Sequence, residues 1–240
     1  MDWLKASYQP TTLFSLRPSW ATSSGGKSLL LPSPYALKLA VLDVALRTSG
    51  RGPGEAAWPW IRDLQIGIQL PLQIVVTNLF AKILRQKEFK GKKEAKEAFI
   101  AQAIADGNWP FQSTIAYREY VYHPEPIHLA FGVPEEKAAQ LKEWLAQINY
   151  LGKRGGFMQL LAEPEAIESA DAFILLTAEA AQFPKMGLVQ QLDDCDPKMK
   201  FEQVDIYNSK RPLRITRHII LPYRLKKSSR SYSLYEQAAG

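Results

Sequence analysis

The chain has 240 residues, of which 46% are hydrophobic and 22% are charged, and its formal net charge is +6 at pH 7. This composition suffices for a buried core and excludes a disordered tail, while a single cysteine excludes a disulfide framework and a cysteine-rich zinc site. No stretch reads as a secretory signal or a membrane span, so the sequence predicts a soluble, cytoplasmic protein with no membrane partner.

The first quarter of the chain predicts a strand, a loop and a helix. Segment 11–20 reads as a short strand that a proline ends, and a polar Gly/Ser loop follows it. Ser33 is a suitable N-cap, Pro34 fits the first helical position, and Gly50 fits the residue after the helix. Segment 50–60 is rich in Gly, Pro and Trp and predicts a loop.

The middle of the chain predicts strands around a charged insertion. Residues 64–84 are apolar and β-prone with one interrupting proline, which fits two strands or one bent strand. Residues 87–106 turn basic and helical and are interpreted as an insertion. Residues 113–123 alternate as a strand does, and 127–133 predicts another strand.

A second helix and a further strand complete this part of the chain. Pro134 begins a helix with acids in its first turn, and a glycine loop then leads to a short strand over 157–161. The resulting order is that of an α+β, ferredoxin-like (RRM-type) βαββαβ domain with an insertion. We predict this domain over 1–161 and a smaller β-rich C-terminal lobe over 162–240.

The charge is distributed unevenly along the chain. Residues 206–235 contain eight Lys and Arg and no acid, whereas residues 155–205 contain ten acids and three lysines. A basic C-terminal arm therefore follows an acidic segment. This asymmetry predicts a polyanion such as nucleic acid, an acidic protein partner, or pairing of the two segments with each other.

Two glycine-containing segments are candidates for phosphate contacts. Gly25-Gly-Lys-Ser28 lacks the spacing of a nucleotide-binding P-loop, but Lys27 on a flexible loop suits a phosphate. Gly152-Lys-Arg-Gly-Gly156 combines glycines, which let the backbone approach a ligand, with two cations that complement phosphate. The alternative for both is an ordinary turn with solvated basic residues.

A strand face and a histidine are further candidates. Arg118, Tyr120 and Tyr122 share one face of a predicted strand and could stack bases and contact phosphates, or they could be core aromatics with a structural arginine. His123 could act as a general acid or base beside these tyrosines and Lys153, or it could be a turn histidine. The three histidines show no metal-ligand spacing, and no motif for a cofactor is present.

Taken in chain order, four segments resemble the Cas-five family, RAMP-superfamily subunits of type I CRISPR effector complexes (Cascade). The strand at 13–17 precedes a Leu-Pro-Ser-Pro helix opening within 29–37. Tyr117-Arg-Glu-Tyr-Val121 is similar to the family's Arg-Glu-Tyr strand, and Leu151-Gly-Lys-Arg-Gly-Gly-Phe157 is similar to its glycine loop. The resemblance covers residues 10–161.

Two departures from the family pattern stand inside these segments. Tyr35 occupies a position where many members have Ser or Thr, and Gly155-Gly156 replaces the commoner small polar residues. The subtype is therefore left open. A divergent version that serves an RNA-guided transposition system is one of the open alternatives.

The resemblance implies a non-catalytic subunit that holds the 5′ handle of the crRNA. Such a subunit caps a filament of Cas-seven subunits and contacts the large Cas-eight subunit near the target DNA, in antiviral defence or with transposition adaptor proteins. The insertion, roughly residues 85–112, would form a thumb. No cofactor, metal or catalytic residue is implied, and the predicted nucleic-acid contacts are Arg17, Lys27, Ser28, Arg118, Tyr120, Lys153, Arg154, Gly155 and Gly156.

Two other functions stay open at this point. One is a metal-independent endoribonuclease of the same superfamily that processes precursor crRNA with His123 as acid or base. The other is a protein-interaction domain whose basic arm binds an acidic partner.

Overall fold

The computed structural model describes residues 1–21, 26–152, 155–178, 186–204 and 212–238. The helices are α1 Pro34–Ser49, α2 Arg51–Arg62, α3 Lys96–Ala105 and α4 Glu135–Leu145. The strands are β1 Asp2–Pro10, β2 Gln65–Gln69, β3 Gln73–Gln86, β4 Phe111–Tyr122, β5 Ile127–Val133, β6 Met158–Leu160, β7 Glu165–Ile167, β8 Ile174–Leu175, β9 Leu188–Cys195, β10 Arg214–Leu221, β11 Tyr223–Ser228 and β12 Tyr232–Gln237. None of the helices in these ranges is long and apolar enough to cross a membrane.

The strands form two antiparallel sheets and one separate hairpin. The first sheet has the order β6-β1-β5-β2-β8, and β7 also pairs with β1. The second has the order β11-β12-β3-β4, while β9 pairs with β10 alone. The predicted mixture of helices and antiparallel strands is therefore confirmed. The buried core contains side chains of both sheets, of the β9-β10 hairpin and of helices α1, α2 and α4.

The prediction of a first strand at 11–20 is wrong. The first strand is β1, in which Leu4, Ala6 and Tyr8 are buried in strict alternation. Downstream of it, Phe14 forms only an isolated bridge with Val121 of β4. In segment 11–20 apolar and polar residues alternate because Phe14 and Leu16 are buried against the rest of the fold. The segment forms no continuous ladder of hydrogen bonds with another described strand.

The prediction of a loop at 50–60 is also wrong, because α2 occupies this segment. Its buried residues Gly54, Trp58 and Ile61 recur at helical spacing, and the indole nitrogen of Trp58 donates to the Met199 carbonyl at 2.9 Å. Pro59 lies inside the helix, where it removes one backbone donor. The glycine and proline content predicted a loop, but burial of one face of the segment stabilises the helix α2 instead.

The β-prone stretch at 64–84 contains two strands, as one of the two predicted alternatives requires. They belong to different sheets, since β2 joins the first sheet and β3 forms a long hairpin with β4. The predicted helix at 87–106 is shorter than expected. It consists of a 3-10 turn at Lys93–Ala95 followed by α3, and this segment connects β3 to β4. We call β3, β4 and α3 the hairpin arm.

Strands beyond residue 161 attach to both sheets. β7 and β8 extend the first sheet through β1 and β2, and β12 pairs with β3. Four of the strands after residue 161 thus complete sheets begun by the first 161 residues.

The acidic and basic segments pair with each other where β9 meets β10. Arg214 lies 3.3 Å from Asp193, and Arg217 lies 2.8 Å from Asp194. Asp194 also accepts from Lys38 of α1 at 2.6 Å, and both of these side chains are buried. One of the three interpretations of the charge asymmetry, internal pairing, is confirmed at these residues.

We predict that Lys38→Ala lowers the free energy of unfolding by about 3 kcal/mol, because it leaves part of a buried carboxylate without its partner. Arg47→Ala is the matched control, since Arg47 forms an exposed pair with Asp43 within α1. The control should cost no more than about 0.5 kcal/mol. Urea denaturation of both variants tests this, and similar losses would contradict the assignment of Asp194 as a buried anchor.

Candidate nucleic-acid interface

Glu119 of β4 holds the loop that carries Lys27. Its buried carboxylate lies 2.6 Å from the Lys27 ammonium and accepts from the Ser28 backbone N–H at 3.0 Å. The Tyr117 hydroxyl donates to the same carboxylate at 2.9 Å. The loop is therefore anchored against β4 by one acidic side chain.

Gly26 allows this close approach. Its carbonyl accepts from the Glu119 N–H at 2.7 Å, and a Cβ placed on it would overlap the Tyr117 carbonyl oxygen. A side chain at position 26 would force the loop away from β4. The glycine therefore matters for packing against a strand rather than for a phosphate loop.

Lys27 and Ser28 differ in what they offer a ligand. The Lys27 pKa is raised, chiefly by its hydrogen bond to Glu119, and more than half of its side chain is exposed. It can therefore present a fixed positive charge to solvent. Ser28 is buried, its hydroxyl accepts from the Leu16 N–H at 3.0 Å and donates to the Leu29 carbonyl at 3.1 Å, so its side chain is occupied inside the protein.

A groove of about 580 Å³ lies beside this loop. It is lined by residues 15–17, by the first turns of α1 and by Gly152. Arg17 is exposed at its edge. The Arg214 guanidinium lies 3.9 Å from the centre of the Tyr35 ring on another wall. We call this feature the glycine-loop groove; its lining combines two arginines, an aromatic ring and two acids, Asp43 and Asp193.

The glycine loop itself is partly described. Lys153 and Arg154, two of the predicted contacts, lie outside the described residues. A Cβ placed on Gly155 would meet no described atom within 4 Å, and the Gly155 carbonyl accepts from the Thr12 hydroxyl at 3.1 Å. The Gly156 carbonyl accepts from the Leu151 N–H at 2.9 Å, which closes the turn.

Arg118, Tyr120 and Tyr122 lie on the opposite face of β4 from Glu119. Alternation along the strand turns Glu119 and Val121 inward, where they are buried, and leaves Arg118, Tyr120 and Tyr122 on the outer side. The predicted contacts therefore divide between two surfaces, with Arg17, Lys27, Gly155 and Gly156 on one and Arg118 and Tyr120 on the other.

His123 is enclosed by protein. It is fully buried, its Nε2 lies 2.8 Å from the Leu30 carbonyl oxygen, and burial lowers its pKa to about 4. The imidazole is thus neutral at pH 7, and it has no surface exposed to a substrate. In the part of the chain that the structure describes, no three His, Cys, Asp or Glu side chains are grouped to hold a metal ion.

Sequence reasoning missed Glu119, Tyr35 and Arg214 as parts of the site. Glu119 had a visible signal, since it is the one acid in a strand of polar, aliphatic and aromatic residues and falls on the face shared with Val121. The contact between Tyr35 and Arg214 joins residues far apart in the sequence, and no local pattern could have indicated it.

Comparison with known proteins identifies a relative over nearly the whole chain. The chain is 26% identical over 237 residues to a protein named CRISPR-associated protein Cas5 from Archaeoglobus fulgidus, and the match covers 96% of each chain. A crystal structure of a CRISPR protein from Archaeoglobus fulgidus covers 100% of this chain and 93% of its own, with a TM-score of 0.49 and 13% identity. No family model matches the sequence.

The full-length relative confirms the predicted resemblance to the Cas-five family. In class, the chain is a mixed α/β protein built on antiparallel sheets. In function, the similarity to a protein named Cas5 supports a CRISPR-associated role.

We predict that alanine lowers stability at one glycine of the loop and has no effect at another. Gly152→Ala should lower stability by more than about 1 kcal/mol, because a positive φ disfavours alanine. Gly152 has φ +70°, and its Cβ would lie 2.5 Å from the Leu16 side chain. Gly155→Ala should leave the melting temperature unchanged, since space is open there. Thermal unfolding compares them, and equal losses would contradict this description of the loop.

His123 also predicts a pH dependence of stability. The imidazole titrates near pH 6.5 when unfolded and near 4 when folded, so the unfolded chain binds the proton first and stability falls as pH drops through this window. The loss should be about 2 kcal/mol between pH 7 and pH 5. His123→Gln keeps a donor for Leu30 and removes the titration, so urea denaturation should show a shallower pH dependence. An unchanged slope would contradict the buried, neutral state.

Proposed function

We propose that this protein is a non-catalytic subunit of a type I CRISPR effector complex that binds the 5′ handle of the crRNA. The observation that carries the proposal is the relationship to a Cas5 protein over 96% of both chains. A match of this extent involves the sheets, the helices and the hairpin arm together. It therefore supports a shared role rather than a shared motif.

The order of strands supports a ferredoxin-like domain as the scaffold. β1, β2, β5 and β6 are arranged β6-β1-β5-β2, with helices following β1 and β5 in the chain. This is the βαββαβ arrangement expected for the fold, which RNA-recognition domains also use. The hairpin arm is inserted between β2 and β5, where the resemblance implies a thumb.

The glycine-loop groove supports RNA binding on this scaffold. Arg17 at its edge and Lys27 beside it provide exposed cations, and the backbone near Gly155 is open to a phosphate. Cations of this kind contact phosphates without reading bases, so affinity should depend strongly on salt. We assign the handle to this groove, with Lys153 and Arg154 as predicted contacts beside it.

The proposal extends to partners that the resemblance implies. The subunit would cap a filament of Cas-seven subunits, contact the Cas-eight subunit and lie near target DNA, in antiviral defence or in RNA-guided transposition. The hairpin arm exposes apolar side chains such as Leu84, Phe111 and Ile115, which suits contact with neighbouring subunits.

The geometry favours this role over the ribonuclease. A general acid or base must reach the proton that it transfers, and the buried His123 reaches the Leu30 carbonyl instead. Neither Tyr120 nor Tyr122 shares its surroundings, because both side chains lie on the outer face of β4. The proposed function accordingly contains no cleavage step.

Charge reversal at Arg17 tests the assignment of the groove. We predict that Arg17→Glu weakens binding of a CRISPR repeat RNA by about tenfold or more, because it replaces a phosphate contact with repulsion. Arg51→Glu is the matched control, since Arg51 is an exposed arginine on α2, outside the groove. Fluorescence anisotropy at fixed salt measures both, and equal effects would mean that only net charge matters.

A further inference from the structure

We propose that the outer face of the second sheet is a separate binding surface for single-stranded nucleic acid, on which tyrosines stack unpaired bases and cations hold the backbone. We call this face the tyrosine face. Its tyrosines are Tyr120 and Tyr122 of β4 and Tyr232 of β12. It is distinct from the glycine-loop groove and does not depend on the handle assignment.

Strand pairing arranges the three tyrosines around β3. Thr77 lies opposite Tyr120 on one side and opposite Tyr232 on the other, so these residues form a row across three strands. Val75 begins the next row, opposite Tyr122 and Leu234. Successive rows on one face of a sheet are ~7 Å apart. Rings at such intervals can receive consecutive bases of an extended strand.

The tyrosine face is open. Its side chains at 75, 77, 79, 118, 120, 122, 232 and 234 are all at least partly exposed, whereas Ile74, Val76 and Val121 on the other face are buried. Within the described ranges, the hydroxyls of Tyr120, Tyr122 and Tyr232 make no hydrogen bond to another residue. The strands fix the positions of the three tyrosines, and the outer surfaces of their rings are available to a ligand.

The basic C-terminal arm supplies the charge of this face. Its strand β11 pairs with β12 and so joins the sheet that contains β4. Arg224 and Lys226 both form ion pairs with Glu236, which lies on this face. Lys227 lies opposite Leu234. Among the described residues, the paired positions of this face carry four cations (Arg85, Arg118, Arg224 and Lys227) and one acid, Glu236, while Lys226 lies in the bulge between Leu225 and Lys227.

Charge and aromatics together indicate the class of ligand. Positive side chains beside exposed tyrosines suit a strand whose bases are free to stack and whose phosphates need neutralising. A duplex keeps its bases paired and offers only its backbone, so the tyrosines would add nothing to its binding. Single-stranded RNA and single-stranded DNA both meet the requirement.

The test uses the full chain and fluorescein-labelled 12-nucleotide oligo(U), oligo(dT) and a duplex of the same length. We predict that Tyr120→Ala and Tyr232→Ala each weaken binding of the single strands by at least about fivefold, while Tyr120→Phe retains it. Tight binding of both oligomers means recognition by stacking and phosphate contacts that both nucleic acids share, and preference for oligo(U) means an added contact to the 2′-hydroxyl. The duplex should bind more weakly than the better single strand.

Matched variants on the other face of the same sheet are the controls. Phe80→Ala removes an exposed aromatic and Lys82→Gln an exposed cation from β3, both on the inner side. Lys227→Gln should reduce the salt dependence of binding by about 0.7 in the log-log slope, the value for one phosphate of a single strand. Phe80→Ala and Lys82→Gln should change neither affinity nor slope.

The proposal is overturned if the tyrosine variants bind within twofold of the unmodified protein, if Phe80→Ala loses as much, or if the duplex binds as tightly as the single strands. These results differ from a failure of the handle assignment. In that case Arg17→Glu would leave repeat RNA bound as before, while the homopolymers would still respond to Tyr120→Ala.

Discussion

The contact between Glu119 and the loop at residues 26–28 determines how the rest of the molecule is organised. One buried carboxylate holds the Lys27 ammonium and the Ser28 N–H, and the absent side chain of Gly26 lets the loop reach β4. Because strand residues alternate, fixing Glu119 inward fixes Arg118 and Tyr120 outward. A single strand thereby separates the glycine-loop groove from the tyrosine face.

A second constraint joins the C-terminal strands to the helical layer. Asp194 is buried between Lys38 of α1 and Arg217 of β10, so the two basic residues are satisfied within the protein. The basic arm therefore has two parts with different roles. Arg214 and Arg217 pair with acids of β9, whereas Lys227 projects from the second sheet without an acidic partner among the described residues.

Local signals predicted the elements that local chemistry determines. Ser33 caps α1 and Gly50 ends it, as their residue types indicated, and the Ser33 hydroxyl accepts from the Ala36 N–H at 3.2 Å. The alternation around Tyr120 predicted its face correctly. By contrast, α2 was missed because glycine and proline content concealed the helical spacing of Trp58 and Ile61. Pairing of β12 with β3 was not predictable, since it joins segments about 150 residues apart whose patterns do not specify a partner strand.

The central claim is that this Cas5-related chain binds CRISPR RNA through the groove that Glu119 helps to build. Sequencing the RNA that co-purifies with the protein from cells expressing a repeat array tests it most directly. The account predicts strong enrichment of repeat-derived 5′ ends over bulk RNA. Recovery of bulk cellular RNA without that enrichment, or of no RNA, would contradict it.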